Sequence, residues 1–188
     1  MRDGTNTRKR LERCALSLFV KKGVAATTIK DIANKAGVAE GTLYRHYESK
    51  DELAQHLFSS AYEEVSLQLK NIAQTHPTFE EKIKAMVHFF CEKYDEDPIL
   101  FNYLLLAQHN QLKIIHEKEV SAHEFLVVIF NEAFRKKELA KQDPQFCAAI
   151  VMGIVLQAAI SRVYGRINRS MMEDVDALIK AILGALYS

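Results

Sequence analysis

The sequence contains few of the residues that interrupt helices. Its 188 residues include three prolines and seven glycines, and these two residue types have the lowest helix propensities. No segment shows the sustained alternation of apolar and polar residues that is typical of strands, and we find no internal repeat. We therefore expect an all-α fold of about nine helices.

Cysteine is also scarce. Cys14, Cys91 and Cys147 are far apart and form no CxxC pair. An odd number of dispersed cysteines is typical of reduced thiols and not of a disulfide framework. The first residues are basic but lack the apolar run of a signal peptide. These two features predict a cytoplasmic protein.

Motifs of the common enzyme classes are missing from the sequence. There is no G-x-S-x-G, P-loop, HExxH or GxGxxG. The one acidic cluster, 95–97, directly precedes Pro98, and an acidic residue before proline is typical of a loop that caps a helix. We expect no catalytic residue and no cofactor.

The histidine spacing does not favour a metal site. His109, His116 and His123 recur every seven residues, which is a rise of roughly 10 Å along a helix. One ion with ligand bonds of about 2 Å cannot join two of them. The pairs Glu119 with His123 and His88 with Cys91 could each supply half a site, but both would need ligands from other helices. We expect no metal.

Charge is unevenly distributed although the net charge is only +1. Residues 1–50 hold eleven Lys and Arg against five Asp and Glu, a net charge of +6. Residues 51–188 hold fourteen against nineteen, a net charge of −5. A basic end on an acidic remainder is typical of a protein that meets nucleic acid with one end.

The stretch 27–53 has the signals of two short helices and the start of a third. Thr28 is a suitable N-cap, and Gly37 can supply the left-handed residue that ends the first helix. A second helix is expected from position 39 or 40 to about Tyr47, and the sequence SKDE at 49–52 is a capping box that opens the next helix. Two short helices joined by a tight turn with glycine form a helix-turn-helix, whose second helix enters the major groove of DNA.

The side chains of the second helix suit contact with DNA. Leu43 alone is expected to point inward, and Gly41 would let the backbone approach a phosphate closely. Hydroxyls and cationic donors surround this anchor, as direct contact with phosphates and bases requires. An ordinary helical hairpin with a polar outer face is the alternative that spacing alone leaves open.

The run TTIKDIANKAGVAEGTLYRHYESKDEL resembles the N-terminal domain of the tetracycline-repressor (TetR) family of bacterial transcription regulators. The resemblance covers residues of about 8 to 55 and departs from the pattern at Ala39, where many members have Ser or Thr. It implies DNA contacts from Thr28, Lys30, Glu40, Gly41, Thr42, Tyr44, Arg45, His46, Tyr47 and Lys50. Among these, Thr42, Tyr44 and Lys50 would hold phosphates, and Lys30, Glu40, Arg45 and His46 would lie nearer the bases.

Helix signals continue through the rest of the chain. Each of the three prolines marks a predicted helix start, and Ser170–Glu173 is another capping box. The predicted helices run over 7–22, 29–36, 39–47, 50–73, 78–95, 98–108, 111–138, 144–166 and 171–187. We divide the chain into a DNA-binding domain, 1–48, and a ligand-binding and dimerisation domain, 49–188.

The segment Phe146–Ser161 contains no charged residue. Sixteen residues are too few for a membrane span, which needs about twenty, so we expect no membrane partner. A helix that is apolar all round is buried on two sides, by its own core and by another chain. With the last helix it predicts a two-fold, four-helix dimer interface; a monomer with a central helix is the alternative. The candidate interface residues are Ala149, Gly153, Leu156, Ile160, Val175, Leu178 and Ile182.

Aromatic residues with a few polar neighbours occur in the middle of the chain. This composition is typical of a small-molecule pocket, and equally of an ordinary aromatic core. The family resemblance implies an effector pocket without identifying its occupant. The candidate wall residues are Tyr62, Phe90, Tyr94, Phe101, Tyr103, His123 and Gln157.

Together these expectations describe a homodimeric repressor that binds an operator in double-stranded DNA and is released by a small molecule of unknown identity. The alternative is a constitutive helix-turn-helix DNA-binding protein with no effector.

Overall fold

The computed structural model describes residues 2–104 and 122–188, with side chains from residue 5 onward. Within these residues every regular element is a helix, which confirms the predicted all-α class. The helices are α1 (Arg2–Ala26), α2 (Ile29–Ala36), α3 (Glu40–Tyr44), α4 (Lys50–Thr75), α5 (Phe79–Glu96), α6 (described over 98–104), α7 (Ala122–Lys136), α8 (Pro144–Val163) and α9 (Val175–Leu186). A 3-10 turn, Met172–Asp174, leads into α9.

The helix α1 is interrupted near its end by Gly23. This residue has φ 81° and ψ 160°, which no helix contains. Because glycine has no Cβ, it adopts positive φ without steric cost. The prediction that Gly23 ends the first regular helix is therefore confirmed, although helical turns resume briefly up to Ala26.

The helix-turn-helix forms where the sequence predicts it. The Thr28 side chain accepts a hydrogen bond from the Asp31 amide at 3.1 Å, and the Asp31 carboxylate accepts one from the Thr28 amide at 2.9 Å. Gly37 closes α2 with φ 64°. The second helix of this motif, α3, is shorter than predicted, since it ends at Tyr44 and not near Tyr47.

Capping boxes occur at the start of α5 and before α9. Thr78 and Glu81 form a complete box at α5, and Ser170 and Glu173 form one before α9. At α4 the box is altered: Ser49 accepts from the Glu52 amide at 3.0 Å, but the Glu52 carboxylate accepts from the amide of Glu48. Local sequence signals thus fix the starts of these helices.

The described residues form two compact units. The first holds 2–63 and 99–104, and the second holds 64–98 and 122–188. The boundary therefore lies within α4, about fifteen residues after the predicted functional boundary at 48/49. The division at 48/49 stays a prediction about function.

The core of the first unit gathers side chains from α1 to α4 and from α6. Tyr103 on α6 is 2% exposed, donates a hydrogen bond from its hydroxyl to the Ala54 carbonyl at 2.7 Å, and stacks on Phe19. The largest members of this core are Leu11, Leu16, Phe19, Ile32, Leu43, Tyr47, Leu53, Phe58 and Tyr103.

The second unit is held by apolar packing and by two polar links. Lys82 on α5 is 4% exposed, and its ammonium lies 2.7 Å from the Glu132 carboxylate on α7. Asp95, near the end of α5, accepts hydrogen bonds from the amides of Met171 and Met172 at 2.8 and 2.9 Å. These links fix α5 against α7 and against the start of α9.

The helix α8 buries one apolar face in the second unit. Cys147, Ala148, Val151, Val155 and Ala159 are buried, and α8 packs against α7 and α9. The helix has twenty residues, and an 18-residue window within it has a mean hydropathy of 2.0, so by length and composition alone it could cross a membrane. Only 28% of that window is buried within the single chain, which leaves a second apolar face uncovered.

Candidate nucleic-acid interface

The helix α3 is anchored by one side chain and exposes most of the others. Leu43 is completely buried, whereas Tyr44 is 56% exposed. Glu40, Gly41 and Arg45 are exposed as well, and Thr42 and His46 are half-buried. A single apolar anchor on a short polar helix leaves the donors and acceptors of the other positions available to a nucleic acid.

Gly41 is exposed, and the packing of the chain does not explain why position 41 is a glycine. It has no positive φ, and a Cβ built on it would meet no atom within 4 Å. The fold therefore does not require glycine at this position. The open space in front of its backbone suits close approach by another molecule, such as a phosphate.

The start of α2 presents Thr28 and Lys30, both exposed. The Thr28 hydroxyl and amide are fixed by Asp31, whose carboxylate also lies 2.7 Å from the Lys22 ammonium. Lys22, followed by Thr28, holds the pKa of Asp31 well below its usual range. Because Asp31 stays ionised at neutral pH, the cap that orients Thr28 persists.

Tyr47 lies in the core and not on the interface. It is 4% exposed, its hydroxyl donates to the Glu12 carboxylate at 2.5 Å, and Arg8 Nε donates to its oxygen at 3.1 Å. Burial, followed by the hydrogen bond to Glu12, raises the pKa of Tyr47 to about 12. The sequence prediction of a DNA contact by Tyr47 is corrected here, because its hydroxyl points into the first unit.

The Lys50 ammonium donates its hydrogen bonds to backbone carbonyls of the same chain. It lies 2.8, 2.9 and 2.8 Å from the carbonyl oxygens of Val24, Ala25 and Thr27. An ammonium group has three donors, so all three are used. In this arrangement Lys50 cannot donate to a phosphate as the sequence analysis predicted.

A polar cluster beside Tyr47 escaped the sequence analysis. Arg8 donates to Glu12 at 2.8 Å and lies 2.8 Å from the His56 ring, and His56 lies 5.5 Å from the Tyr47 ring. The four side chains link α1, the end of the helix-turn-helix and α4. Only the Arg8–Glu12 spacing of four residues was a visible signal; the approach of Tyr47 and His56 depends on tertiary packing.

The candidate pocket residues are divided between the two units. Tyr62, Phe101 and Tyr103 belong to the first unit, and Tyr62 stacks on Phe58 there. Tyr103 is the clearest correction to the predicted wall, because it is a core residue whose hydroxyl already donates to a backbone carbonyl.

The other four candidates belong to the second unit. Tyr94 is 6% exposed, and Phe90 is half-buried against Phe89. His123 Nε2 lies 2.5 Å from Gln145 Oε1, which links α7 to α8. Gln157 is exposed on α8, so it faces away from the interior of its unit.

The candidate interface residues have two different environments. Ala149 and Gly153 are exposed, and Leu156, Ile160 and Leu178 are half-buried. In contrast, Val175 and Ile182 are 6% and 0% exposed, because they fill the core between α9 and the rest of the second unit. These two residues are unavailable to a partner, which corrects the predicted set.

The predicted metal half-sites are only partly described. His109, His116 and Glu119 lie outside the described residues. Within 2–104 and 122–188, no three His, Cys, Asp or Glu side chains are grouped as a metal ion would require.

Comparison with known proteins identifies the N-terminal segment. The profile of the family described as bacterial regulatory proteins, tetR family, matches residues 13–57. The HTH-type transcriptional regulator TtgR of Pseudomonas putida is 43% identical over 61 residues, which are 32% of this chain and 29% of TtgR. The chain thus matches less than a third of that relative's length. The HTH-type transcriptional regulator SrpR of Pseudomonas putida is 28% identical over 99% of this chain and 86% of its own.

Solved structures share the fold over most of the chain's length. The fatty acid degradation regulator FadR from Bacillus halodurans aligns with a TM-score of 0.75 at 19% identity, over 95% of both chains. FadR from Bacillus subtilis in complex with stearoyl-CoA aligns with a TM-score of 0.70 at 14% identity, over 93% of this chain and 97% of that one.

Proposed function

Because the chain belongs to the TetR family of transcriptional regulators, we propose that it is a repressor that binds a DNA operator through α3 and is released by a small molecule. The observation that carries the DNA-binding proposal is the exposure of α3 around its single anchor, Leu43. The net charge of +6 over residues 1–50 supports it, since a basic surface attracts the phosphate backbone.

The roles of the interface residues follow from their environments. Thr42 and Tyr44 are proposed to donate hydroxyls to phosphates, and Gly41 lets the backbone approach one. Four side chains are proposed to lie nearer the bases: Lys30, Glu40, Arg45 and His46. Thr28 is proposed to contact the backbone at the start of α2. Tyr47 and Lys50 are left out of the direct contacts for the reasons given above.

The second unit is proposed to hold the effector. Phe90, Tyr94 and His123 remain the proposed contacts there. The complex of a protein of this fold with stearoyl-CoA supports a small-molecule effector, but at 14% identity it does not identify the effector of this chain.

The uncovered face of α8 is proposed to bind a second copy of this chain. Phe146 is 62% exposed, and Ala149, Gly153, Leu156 and Ile160 follow it at spacings of three or four residues. Such spacing places them on one face of the helix, and the small residues permit close approach of a partner helix. Leu178 would join this face from α9. A two-fold dimer would also present two copies of α3 to successive major grooves.

The protein is proposed to act in the cytoplasm, and the effector is proposed to shift it between two conformations. Without effector, the two α3 helices of the dimer would have the separation that the operator requires. The effector would bind more tightly to a second conformation, in which their separation does not fit the operator. The helix α4 contributes residues to both compact units, so it is the element through which the effector would act.

The test is a selection of bound fragments from genomic DNA, followed by titration of the selected fragment at several salt concentrations. We expect an affinity that falls steeply with salt, and loss of affinity when Tyr44 and Arg45 are both replaced by alanine. Fractionated cell extract supplies candidate effectors, and an active fraction should release the DNA. A protein with no salt-sensitive affinity for any duplex would refute the proposal; release by no fraction would favour a constitutive regulator.

A further inference from the structure

Lys50 is the first residue of α4, and its ammonium holds a short segment more than twenty residues earlier in the chain. It donates to the carbonyl oxygens of Val24, Ala25 and Thr27 at 2.8, 2.9 and 2.8 Å. Lys50 is half-buried. The contact is therefore a three-way bridge between the start of α4 and the end of α1.

The segment that Lys50 holds needs such a partner. Gly23 interrupts α1, and the following carbonyls are at a helix end, where the last four lack partners within the helix. A positive charge at the C-terminal end of a helix also interacts favourably with the negative end of the helix dipole. The turn has one bond of its own, from the Thr27 amide to the Val24 carbonyl at 3.1 Å, and Thr27 Oγ1 donates to the Gly23 carbonyl at 2.7 Å.

The same segment determines where α2 begins. Thr27 is completely buried and directly precedes Thr28, the N-cap of α2. Thr28 is in turn fixed by its bonds with Asp31. A displacement of the turn at 24–27 would therefore be transmitted to Thr28 and to the whole helix-turn-helix.

We propose that Lys50 is a positioning residue for DNA binding: its ammonium fixes the 24–27 turn, and through it the helix-turn-helix, without contacting a phosphate. This inference rests on the proposed function. Lys50 would therefore hold the helix-turn-helix in the conformation that binds DNA, and it would not neutralise a phosphate or release a counterion.

Salt dependence separates the two roles. A lysine that neutralises a phosphate contributes about 0.9 to the slope of log K against log salt concentration. We expect Lys50→Met to weaken binding to the selected fragment by at least about tenfold at every salt concentration, with the slope of the wild type. The size of the loss follows from the sensitivity of binding to misplacement of the reading helix by about 1 Å. A slope lower by about one would show a phosphate contact and overturn the proposal, as would unchanged affinity.

Lys50→Arg provides the matched variant. A direct phosphate contact would survive this change, because the guanidinium is also an excellent phosphate donor. A flat guanidinium cannot direct three donors to three carbonyls as the ammonium does, so we expect Lys50→Arg to lose most of the affinity that Lys50→Met loses. Full recovery of affinity in Lys50→Arg would overturn the positioning role.

A measurement on the wild-type complex keeps the test valid if both variants unfold. In ¹⁵N NMR spectra of lysine ammonium groups, a direct contact with DNA appears as a coupling between ¹⁵N and the phosphate ³¹P. We expect no such coupling for Lys50, and its detection would overturn the proposal. A wild-type protein that binds no duplex would refute the proposed function itself, whereas a wild type that binds with Lys50 coupled to a phosphate refutes only the positioning role.

Discussion

Tyr44 and Tyr47 lie three residues apart but have opposite environments. Tyr44 is 56% exposed on α3, whereas Tyr47 is 4% exposed and shares hydrogen bonds with Glu12 and Arg8. A hydroxyl removed from the surface affects only what binds there. Removal of the Tyr47 hydroxyl takes one hydrogen bond from the half-buried Glu12 carboxylate and one from Arg8.

We therefore expect phenylalanine at the two positions to have separate effects. Tyr44→Phe should weaken DNA binding by about fivefold, the value of a hydrogen bond of about 1 kcal/mol, with an unchanged melting temperature. Tyr47→Phe should lower the free energy of unfolding by about 1–2 kcal/mol while the folded protein binds DNA almost normally. Urea unfolding and fluorescence anisotropy measure the two quantities. The assignment fails if Tyr47→Phe weakens binding more than Tyr44→Phe does in fully folded samples.

Glu132 on α7 neutralises the buried Lys82 ammonium and also pairs with Lys136 at 2.7 Å. Hydrogen bonds from Lys136 and then Lys82 lower the pKa of Glu132 to about 2. Because the folded pKa lies below the unfolded value, the stabilisation is complete above a pH of about 4.5 and is lost as pH falls through about 2.

Glu132→Gln should lower the free energy of unfolding by about 1–3 kcal/mol at pH 7, since it leaves a buried ammonium with a weaker acceptor. The difference from wild type should shrink as pH falls from about 5 toward 2. Denaturant unfolding across this pH range measures it. Glu80→Gln is the control, because Glu80 pairs with Lys84 in solvent and such pairs contribute little. Equal losses in the two variants would contradict this account.

Sequence reasoning identified the exposed donors of α3 but not the fates of Tyr47 and Lys50. A motif gives the residue types and their spacing, and both residues match the family pattern. Their actual partners come from α1, about 25 to 40 residues earlier in the chain. Such partners are decided by tertiary packing, which periodicity does not describe.

At the scale of the helix, starts were more predictable than ends. Starts at α2, α5 and α8 follow from Thr28, Thr78 and Asp143, whose side chains accept hydrogen bonds from nearby amides. The end of α3 could not be read in the same way. Arg45, which follows its last residue, still has helical φ and ψ, so the chain leaves the helix gradually and without a glycine signal.

The proposed dimer can be tested at Gly153 on α8. A Cβ built there meets no atom within 4 Å in the single chain, so a larger side chain has room within the protomer. Gly153→Leu should therefore leave the protomer folded but dissociate the dimer by overlap with the partner helix. Sedimentation velocity at micromolar concentration measures the change.

Asn71→Leu on the exposed face of α4 is the control for added apolar surface. This variant should sediment like the wild type. An undiminished dimer in Gly153→Leu would exclude this face of α8 as the interface.

At the scale of the whole molecule, the division into compact units was not predictable from composition. The first unit includes α6, which begins about fifty residues after the end of the DNA-binding domain, 1–48, and joins this unit through Tyr103. The sequence boundary at 48/49 follows the DNA-binding motif, whereas the compact units follow contacts between distant segments. The long α4, predicted over 50–73 and observed over Lys50–Thr75, belongs to both units.

Effector and operator should oppose each other by the same factor. Linkage requires that an effector which weakens DNA affinity tenfold is itself bound tenfold more weakly by the DNA complex. Isothermal titration of the effector into free protein and into the operator complex measures this, once an active fraction has been resolved to one compound. Equal effector affinities in the two titrations would show that binding of the compound is not coupled to DNA binding, which would contradict the proposed mechanism.

The uncovered face of α8 makes the stability of the fold depend on the concentration of the protein. Phe146, 62% exposed in one chain, lies on a helix of which less than a third is buried in the protomer. If a twin covers this face, association contributes to folding by mass action, and each tenfold dilution lowers the apparent stability of the dimer by about 1.4 kcal/mol. At a few copies per cell the protein would then have a lower melting temperature than in a concentrated solution. Its half-life in the cell would depend on how quickly each newly made chain dimerises.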